Sequence, residues 1–463
     1  LDMLSNERFA LQFGDADIAT QLQDGRPALL RPTSLQSFMD PANFTDGKAS
    51  GGGTGDATPT PTPTTTPGVP SLPTLEQLQD IGPNARDAVY WPFSGTISAA
   101  GVSALGAMSA DGTDALTLIA STSTSTGAAH AEAGTSDALV YDSTISAALR
   151  TASTEDDPNI RGTSLAAVSA YLNLAARGGQ HEPLLVAVDR AATRSVLGLS
   201  SAVETVTRAP GTISATLAQV LDSPARSVRV KNAAADTARV TALRELLVGE
   251  RRIGAFSSIL DDPTLLTGPE RSSILQLLGG GWLDDPGAWS DAITAHEEAT
   301  NTTLDSVSIA PSSDFNLAGR AATRSFGIRN ELPWPVNVIL ITRPDNLRLE
   351  VQESTKVVAH ASSTTAAAVP IRAQIGNGEV TLDLYLISPS GVPIGQPRDV
   401  QVTVHADWEV IGLTILGVAI GGFLVVGLIR TVQARRRKTA DAAAGGVPTT
   451  RGGAPKTRGG DKP

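Results

Sequence analysis

The sequence predicts a multidomain α/β and β chain: a partial TIM-like α/β barrel with a helical region, a juxtamembrane immunoglobulin-like β-sandwich and one C-terminal transmembrane helix. Three observations predict it. Residues 86–200 alternate short apolar runs with helix-spaced patterns. Residues 305–406 carry successive short segments of period-two alternation. Val410 to Ile429 reads VIGLTILGVAIGGFLVVGLI, with no charge.

In chain order, residues 1–47 read as an N-terminal α/β fragment. Phe9, Leu11 and Phe13 alternate and meet Gly14-Asp15-Ala16-Asp17, a strand-then-turn pattern, and Ala28 to Leu30 suggests another short strand. Residues 48–75 form a Pro/Thr/Gly-rich linker or insertion, where proline fixes φ and little can be buried. Residues 76–200 are the barrel-like region. Ala88 to Phe93, Ala115 to Ile119, Ala138 to Tyr141 and Leu184 to Val188 read as strands, with helices over Ala99 to Met108 and Thr163 to Ala176. Residues 201–304 read as mainly helical, with amphipathic runs Ala233 to Leu247 and Glu270 to Leu278.

Residues 305–407 are the sandwich. Val336/Val338/Leu340, Leu347/Leu349/Val351, Val369/Ile371/Ala373/Ile375, Val380/Leu382/Leu384/Leu386 and Val400/Val402/Val404 each alternate. Asn377-Gly378 suits a tight hairpin turn and Pro389-Ser390-Gly391 a second turn. Residues 408–430 are the membrane helix. At ~1.5 Å per residue its apolar run crosses a hydrocarbon core of ~30 Å. Residues 431–463 form a basic disordered tail. Positions 430–463 hold nine Lys/Arg against two Asp, a balance of +7, so the rest of the chain carries −18. That basic flank places the tail in the cytoplasm and the preceding domains outside, at the plasma membrane. The acidic remainder excludes nucleic acid as a partner, and the lipid bilayer is the expected partner of helix and tail.

The chain has no cysteine, which rules out cysteine nucleophiles and thiolate metal sites and leaves the exported domains to be held by their cores. No signal peptide opens the sequence. An outside-facing start without an export signal predicts that the chain is the C-terminal part of a longer precursor.

Asp15, Asp17, Asp142 and Asp189 all follow strand-like runs. Carboxylates at the C-terminal ends of barrel strands do acid–base work in many enzymes, and two of them would suit glycoside hydrolysis. The plainer role of such an aspartate is to start a turn or cap a helix. Tyr90 and Trp91 could stack on sugar rings, but with aromatics at only 4% of the chain their plainer role is as core anchors. The five histidines, at 130, 181, 296, 360 and 405, form no ligand pair, so no metal and no cofactor is expected. His296, beside Glu297 and Glu298, reads as part of a solvated helix face. There is no nucleophile elbow, phosphate loop or dinucleotide fingerprint. Gly417 and Gly421 make a small-xxx-small face on which the membrane helix can pack against another.

Five stretches carry a resemblance: QFGDADIA (Gln12–Ala19), YWPF (Tyr90–Phe93), LLVAVDR (Leu184–Arg190), NELPWPVNVIL (Asn330–Leu340) and the run from SPSGVPIGQPRDVQVTVHADW into the membrane helix. On these the chain resembles an actinobacterial family of uncharacterised single-pass envelope proteins, typically encoded beside the peptidoglycan lipid II flippase. The resemblance implies location and architecture, with no assigned activity. The expectation is a membrane-anchored extracytoplasmic protein, a non-catalytic scaffold, glycan-binding or regulatory component of cell-wall assembly. Its partners would be cell-wall glycan or a membrane protein of peptidoglycan synthesis. The alternative is a glycan-active hydrolase or deacetylase using the barrel carboxylates.

Overall fold

The computed structural model describes residues 7–44, 72–110, 112–177, 182–188, 190, 194–374, 377–405 and 408–441. Most of the Pro/Thr/Gly run, Asp189, Ile375 and the tail beyond 441 lie outside the described residues.

The first part is mixed α/β. Helix α1 (Ile18–Gln23) and α2 (Leu75–Gln79) precede strand β1 (Val89–Tyr90), helix α3 (Ala99–Gly106), and strands β2 (Leu116–Ala120), β3 (His130–Ala133) and β4 (Ser136–Tyr141). Helices α4 (Ser143–Thr154), α5 (Pro158–Arg177), α6 (Val196–Thr207) and α7 (Leu217–Leu221) lead to β5 (Arg226–Ser227). The sheet runs β1-β2-β4-β3-β5. β1, β2 and β4 are parallel neighbours, and Tyr141 at the end of β4 makes a parallel bridge to Leu185. β3 departs from a barrel of parallel strands by pairing antiparallel with β4. One face buries Ile97, Val102, Leu105, Ile119 and Val140; the other buries Val89, Leu116, Leu118 and Leu139.

Four strand expectations in this part are corrected. Around Phe9–Phe13 only Arg8 bridges, to Ala85, and Phe13–Asp15 is a 3-10 turn. Gly14 (φ 66°) and Asp15 (φ 51°) are left-handed, which ends any extended run. Ala28 to Leu30 pairs with no strand; the Leu30 N–H donates to Gln21 Oε1 at 2.7 Å. Leu184 to Val188 makes only the Leu185 bridge, and Val186 and Val188 pack instead on the α4–α5–α6 cluster. The Ala88 to Phe93 strand shrinks to Val89–Tyr90, because Ala88 has φ 55° and Pro92 cannot donate to a ladder.

Three long helices follow, α8 (Thr237–Phe256), α9 (Thr264–Leu277) and α10 (Pro286–Asp305). Leu243, Leu246, Leu247, Ile274, Leu275 and Leu278 form their core, and Ala16 and Leu30 from the N-terminal segment join it. α8 and α10 are capped by Asp236 and Asp285, whose carboxylates accept the N–H of Arg239 and Ala288.

The last globular part is all strand: β6 (Val307–Ile309), β7 (Phe315–Ala318), β8 (Ala321–Asn330), β9 (Val336–Pro344), β10 (Leu349–Val351), β11 (Ser354–Ala359), β12 (Ser363–Ala373), β13 (Gly378–Ile387) and β14 (Pro393–His405). They form a four-stranded sheet, β10-β12-β8-β6, and a five-stranded one, β11-β9-β13-β14-β7. Inward residues of both sheets share one core, with Phe326, Val338, Leu340, Val369, Leu382 and Val402 each at most 2% exposed. The hairpin expected at Asn377-Gly378 does not form: β12 lies in one sheet and β13 in the other. An Asn-Gly pair tolerates a tight turn but does not choose the partner of the next strand. The turn at Pro389–Gly391 does join neighbours, with Gly391 at φ 86° and the Ser388 N–H donating to Val392 O. β7 pairs in parallel with β14, so the sheet is not wholly antiparallel. Helix α11 (Trp408–Asp441) follows β14.

Asn330 ties this unit together while 1% exposed. Its amide donates to the carbonyls of Trp334, Ala359 and His360 and accepts the Leu332 N–H. Removing it strands buried backbone groups, so Asn330→Ala should lower stability by about 2–3 kcal/mol in denaturant unfolding. Val358→Ala, on an exposed face, should stay within ~0.5 kcal/mol.

Candidate functional site

The parallel strands β1, β2 and β4 end on one side of their sheet, where ligand sites of α/β folds gather. Trp91 and Phe93 follow β1, Ser121 follows β2, Tyr141 ends β4 and Asp142 follows it. Arg190 comes in after the Leu185 bridge. Its guanidinium lies 4.8 Å from the Trp91 ring centre and 4.7 Å from that of Phe93. It donates from Nε to Asp15 (2.7–2.8 Å) and from a terminal nitrogen to the Trp91 carbonyl. Tyr141 meets Trp91 edge-on at 5.9 Å and shares a 2.7 Å hydrogen bond with Ser94. Gly280 closes the cluster: a Cβ there would lie 2.4 Å from the Phe93 ring and 3.2 Å from Asp15. The arrangement is a guanidinium set over two rings and paired with the Asp15 carboxylate, which ties three chain segments together.

The structure brings together Asp15 and Trp91, through Arg190, a residue that sequence reasoning did not assign to the site. It separates Asp15 from Asp17 by function. Asp17 is 3% exposed. It caps α1 by accepting the Thr20 N–H and hydroxyl, and it pairs with buried Arg239 at 3.2 Å. Asp142 caps α4, accepting the Ile145 N–H at 2.8 Å. Asp189 lies outside the described residues. Tyr90 is buried, and its hydroxyl donates to Met108 O at 2.9 Å. Burial pushes its phenol above the ordinary value, against a smaller opposing pull from Arg31.

His296 is not on a solvated face: its ring nitrogen lies 3.2 Å from the buried carboxylate of Glu270, which also accepts the Thr300 hydroxyl. Single-sequence spacing hides this contact, since Glu270 and His296 sit on different helices. Among the described residues no group of three or more His, Asp or Glu is arranged to hold a metal. Gly417 and Gly421 lie on α11 with no other atom within 4 Å of a built Cβ.

A family model described as a family of unknown function, DUF6049, matches residues 1–450. The chain belongs to this family. No curated protein matches it. Among solved structures, a segment covering 22% of the chain is similar to Escherichia coli α2-macroglobulin, at 16% identity, TM-score 0.18 and 7% of that chain. SSP-19, an MSP-domain-like protein of Caenorhabditis elegans, matches 20% of the chain at 11% identity and TM-score 0.16, over 94% of its own length. The E. coli chaperone DraB matches 22% at 9% identity and TM-score 0.16, over 55% of its length. At these scores no argument about fold or function passes from those proteins to this member of the DUF6049 family.

Arg239→Ala should cost about 3–5 kcal/mol in urea unfolding, because it leaves the Asp17 carboxylate buried without its cation. Asp15→Asn, at a part-exposed pair, should cost no more than ~1 kcal/mol. Tyr90 makes a pH prediction. Its folded pKa is raised, so its contribution to stability is complete below the unfolded value near 10 and is lost as pH climbs above it. Denaturant unfolding should show the wild type losing stability relative to Tyr90→Phe as pH climbs above 10, because the variant has no phenol there to ionise.

Proposed function

We propose that the protein is a single-pass, membrane-anchored component of the actinobacterial cell envelope. Its folded part stands outside the plasma membrane and its basic tail lies in the cytoplasm. Its work is non-catalytic: it scaffolds or regulates cell-wall assembly, in contact with wall glycan or with a membrane protein of peptidoglycan synthesis. The observation that carries the proposal is Gly412–Gln433, 22 residues long, apolar enough to cross a membrane and with none of its span buried by the rest of the chain. The cation-rich segment after it and the −18 balance before it favour this orientation.

On the same proposal, the two-sheet unit is an immunoglobulin-like β-sandwich over a common core, and β1, β2, β4 and the Leu185 bridge are consecutive strands of a partial α/β barrel. The domains then follow the sequence segmentation: 1–47, 76–200, 201–304 and 305–407, before the helix at 408–430. A binding role is favoured over hydrolysis because Asp15, Asp17 and Asp142 are each engaged by a structural partner. Gly417 and Gly421 offer a small-residue face of α11 for a membrane partner.

The chain has no native cysteine, so single-cysteine variants report topology cleanly. In intact cells an impermeant maleimide should label Val358→Cys and should reach Thr439→Cys only after the membrane is opened. Labelling of Thr439→Cys from outside would overturn the proposed orientation.

A further inference from the structure

We propose, building on the anchored topology above, that one end of the two-sheet unit is a lipid-contact surface, with Leu347 as an apolar tip and Arg320, Arg348 and Arg372 as ligands for anionic headgroups. The strand register locates that end. β14 leaves the sheet at His405, and α11 starts at Trp408. Three peptide steps of ~3.8 Å keep the helix start within about 11 Å of the strand end. The interfacial layer outside the hydrocarbon core is itself ~5–8 Å deep. Whatever lies at the His405 end of the sheets is therefore carried to the headgroups.

Two loops and the start of β13 lie there. The first is Gly319-Arg320, since Ala318 pairs with His405 and the Ala373 N–H donates to Arg320 O. The second is Asp345–Arg348, since Pro344 pairs with Leu382, the Asp345 N–H donates to Thr381 O and the Gln374 N–H donates to Arg348 O. β13 starts there at Gly378, which pairs with Val404 and lies so close to the Arg348 side chain that a Cβ would be about 3.2 Å from it. With strands ~4.8 Å apart and sheets ~10 Å apart, these loops sit within ~10–15 Å of the chain's entry to the membrane.

Their side chains suit the place. Leu347 is 87% exposed, at a loop tip that needs no apolar residue for folding. Arg320, Arg348 and Arg372 are exposed around it. The acidic groups of the same end are Asp345, Glu350 and Glu379. Asp345 accepts the Asn346 amide and Glu350 the Gln374 amide. At the opposite end, Arg329 is paired with Glu331. Arginine's planar fork matches phosphate, and an apolar tip beside it can enter the acyl boundary.

The test uses the full chain, reconstituted into phosphatidylcholine vesicles with or without phosphatidylglycerol. An environment-sensitive fluorophore is placed in turn at Leu347→Cys, Val358→Cys and Val418→Cys. The inference expects the Leu347 probe to be blue-shifted and severalfold less accessible to iodide than the Val358 probe. It also expects that protection to need phosphatidylglycerol and to weaken in an Arg320→Gln/Arg348→Gln/Arg372→Gln variant. A Leu347 probe as accessible as Val358, with Val418 quenched by spin-labelled lipid, would overturn the lipid-contact surface and leave the anchor standing. A Val418 probe that spin-labelled lipid cannot quench would overturn the anchor and this inference with it.

Discussion

The carboxylate of Asp17 is the fixed point of the α/β and helical parts. It is buried, and a buried charge is tolerated only where its lone pairs are matched. Its own helix and two others match it. The carboxylate accepts the Thr20 N–H and hydroxyl, Arg239 on α8 faces it, and its N–H donates to Leu278 O at the end of α9. Arg239 donates to the same Leu278 carbonyl and lies 5.4 Å from the Trp289 ring centre on α10. One ion pair therefore sets where α1 begins and joins it to all three long helices.

Two residues earlier the chain turns the other way. Gly14 sits so close to the backbone of Gln276 that a Cβ would lie 3.1 Å from it, and both Gly14 and Asp15 are left-handed. That turn sends the Asp15 carboxylate to Arg190 and the strand ends, while Asp17 stays with the helices. The QFGDAD segment is thus a junction between the sheet and the helix bundle. Its two carboxylates look like a catalytic pair in sequence because spacing along a chain says nothing about direction once φ changes sign. Capping and acid–base chemistry ask for the same residue at the same kind of position.

The same limit explains what else was legible. Strands with one buried face announce themselves by period two, so β9, β12, β13 and β14 could be read from Val338, Ile371, Leu384 and Val402. β7 and β8 could not: Ala321 to Ser325 is small and polar, and only Phe326, Ile328 and Asn330 mark the buried side. Partner choice was invisible throughout, as β12 and β13 show by entering different sheets. At the candidate site Trp91 and Asp15 stood out by type, whereas Arg190 did not, because an arginine after an apolar run is ordinary until two rings enclose it.

α11 is governed by a different constraint. Every other long helix has a buried face, from Leu149 on α4 to Ile274 on α9. On α11 the aliphatic side chains from Leu413 to Val432 stay roughly half exposed or more. No stripe separates an apolar side from a polar one, so packing on a globular core could cover only part of the helix. A medium that is apolar all round satisfies every side at once, and 22 residues at ~1.5 Å give ~33 Å, the span of a hydrocarbon core. The backbone needs no partner there, because a helix closes its own hydrogen bonds. Bare glycines and ungrouped aliphatics are therefore consistent sequence choices for α11.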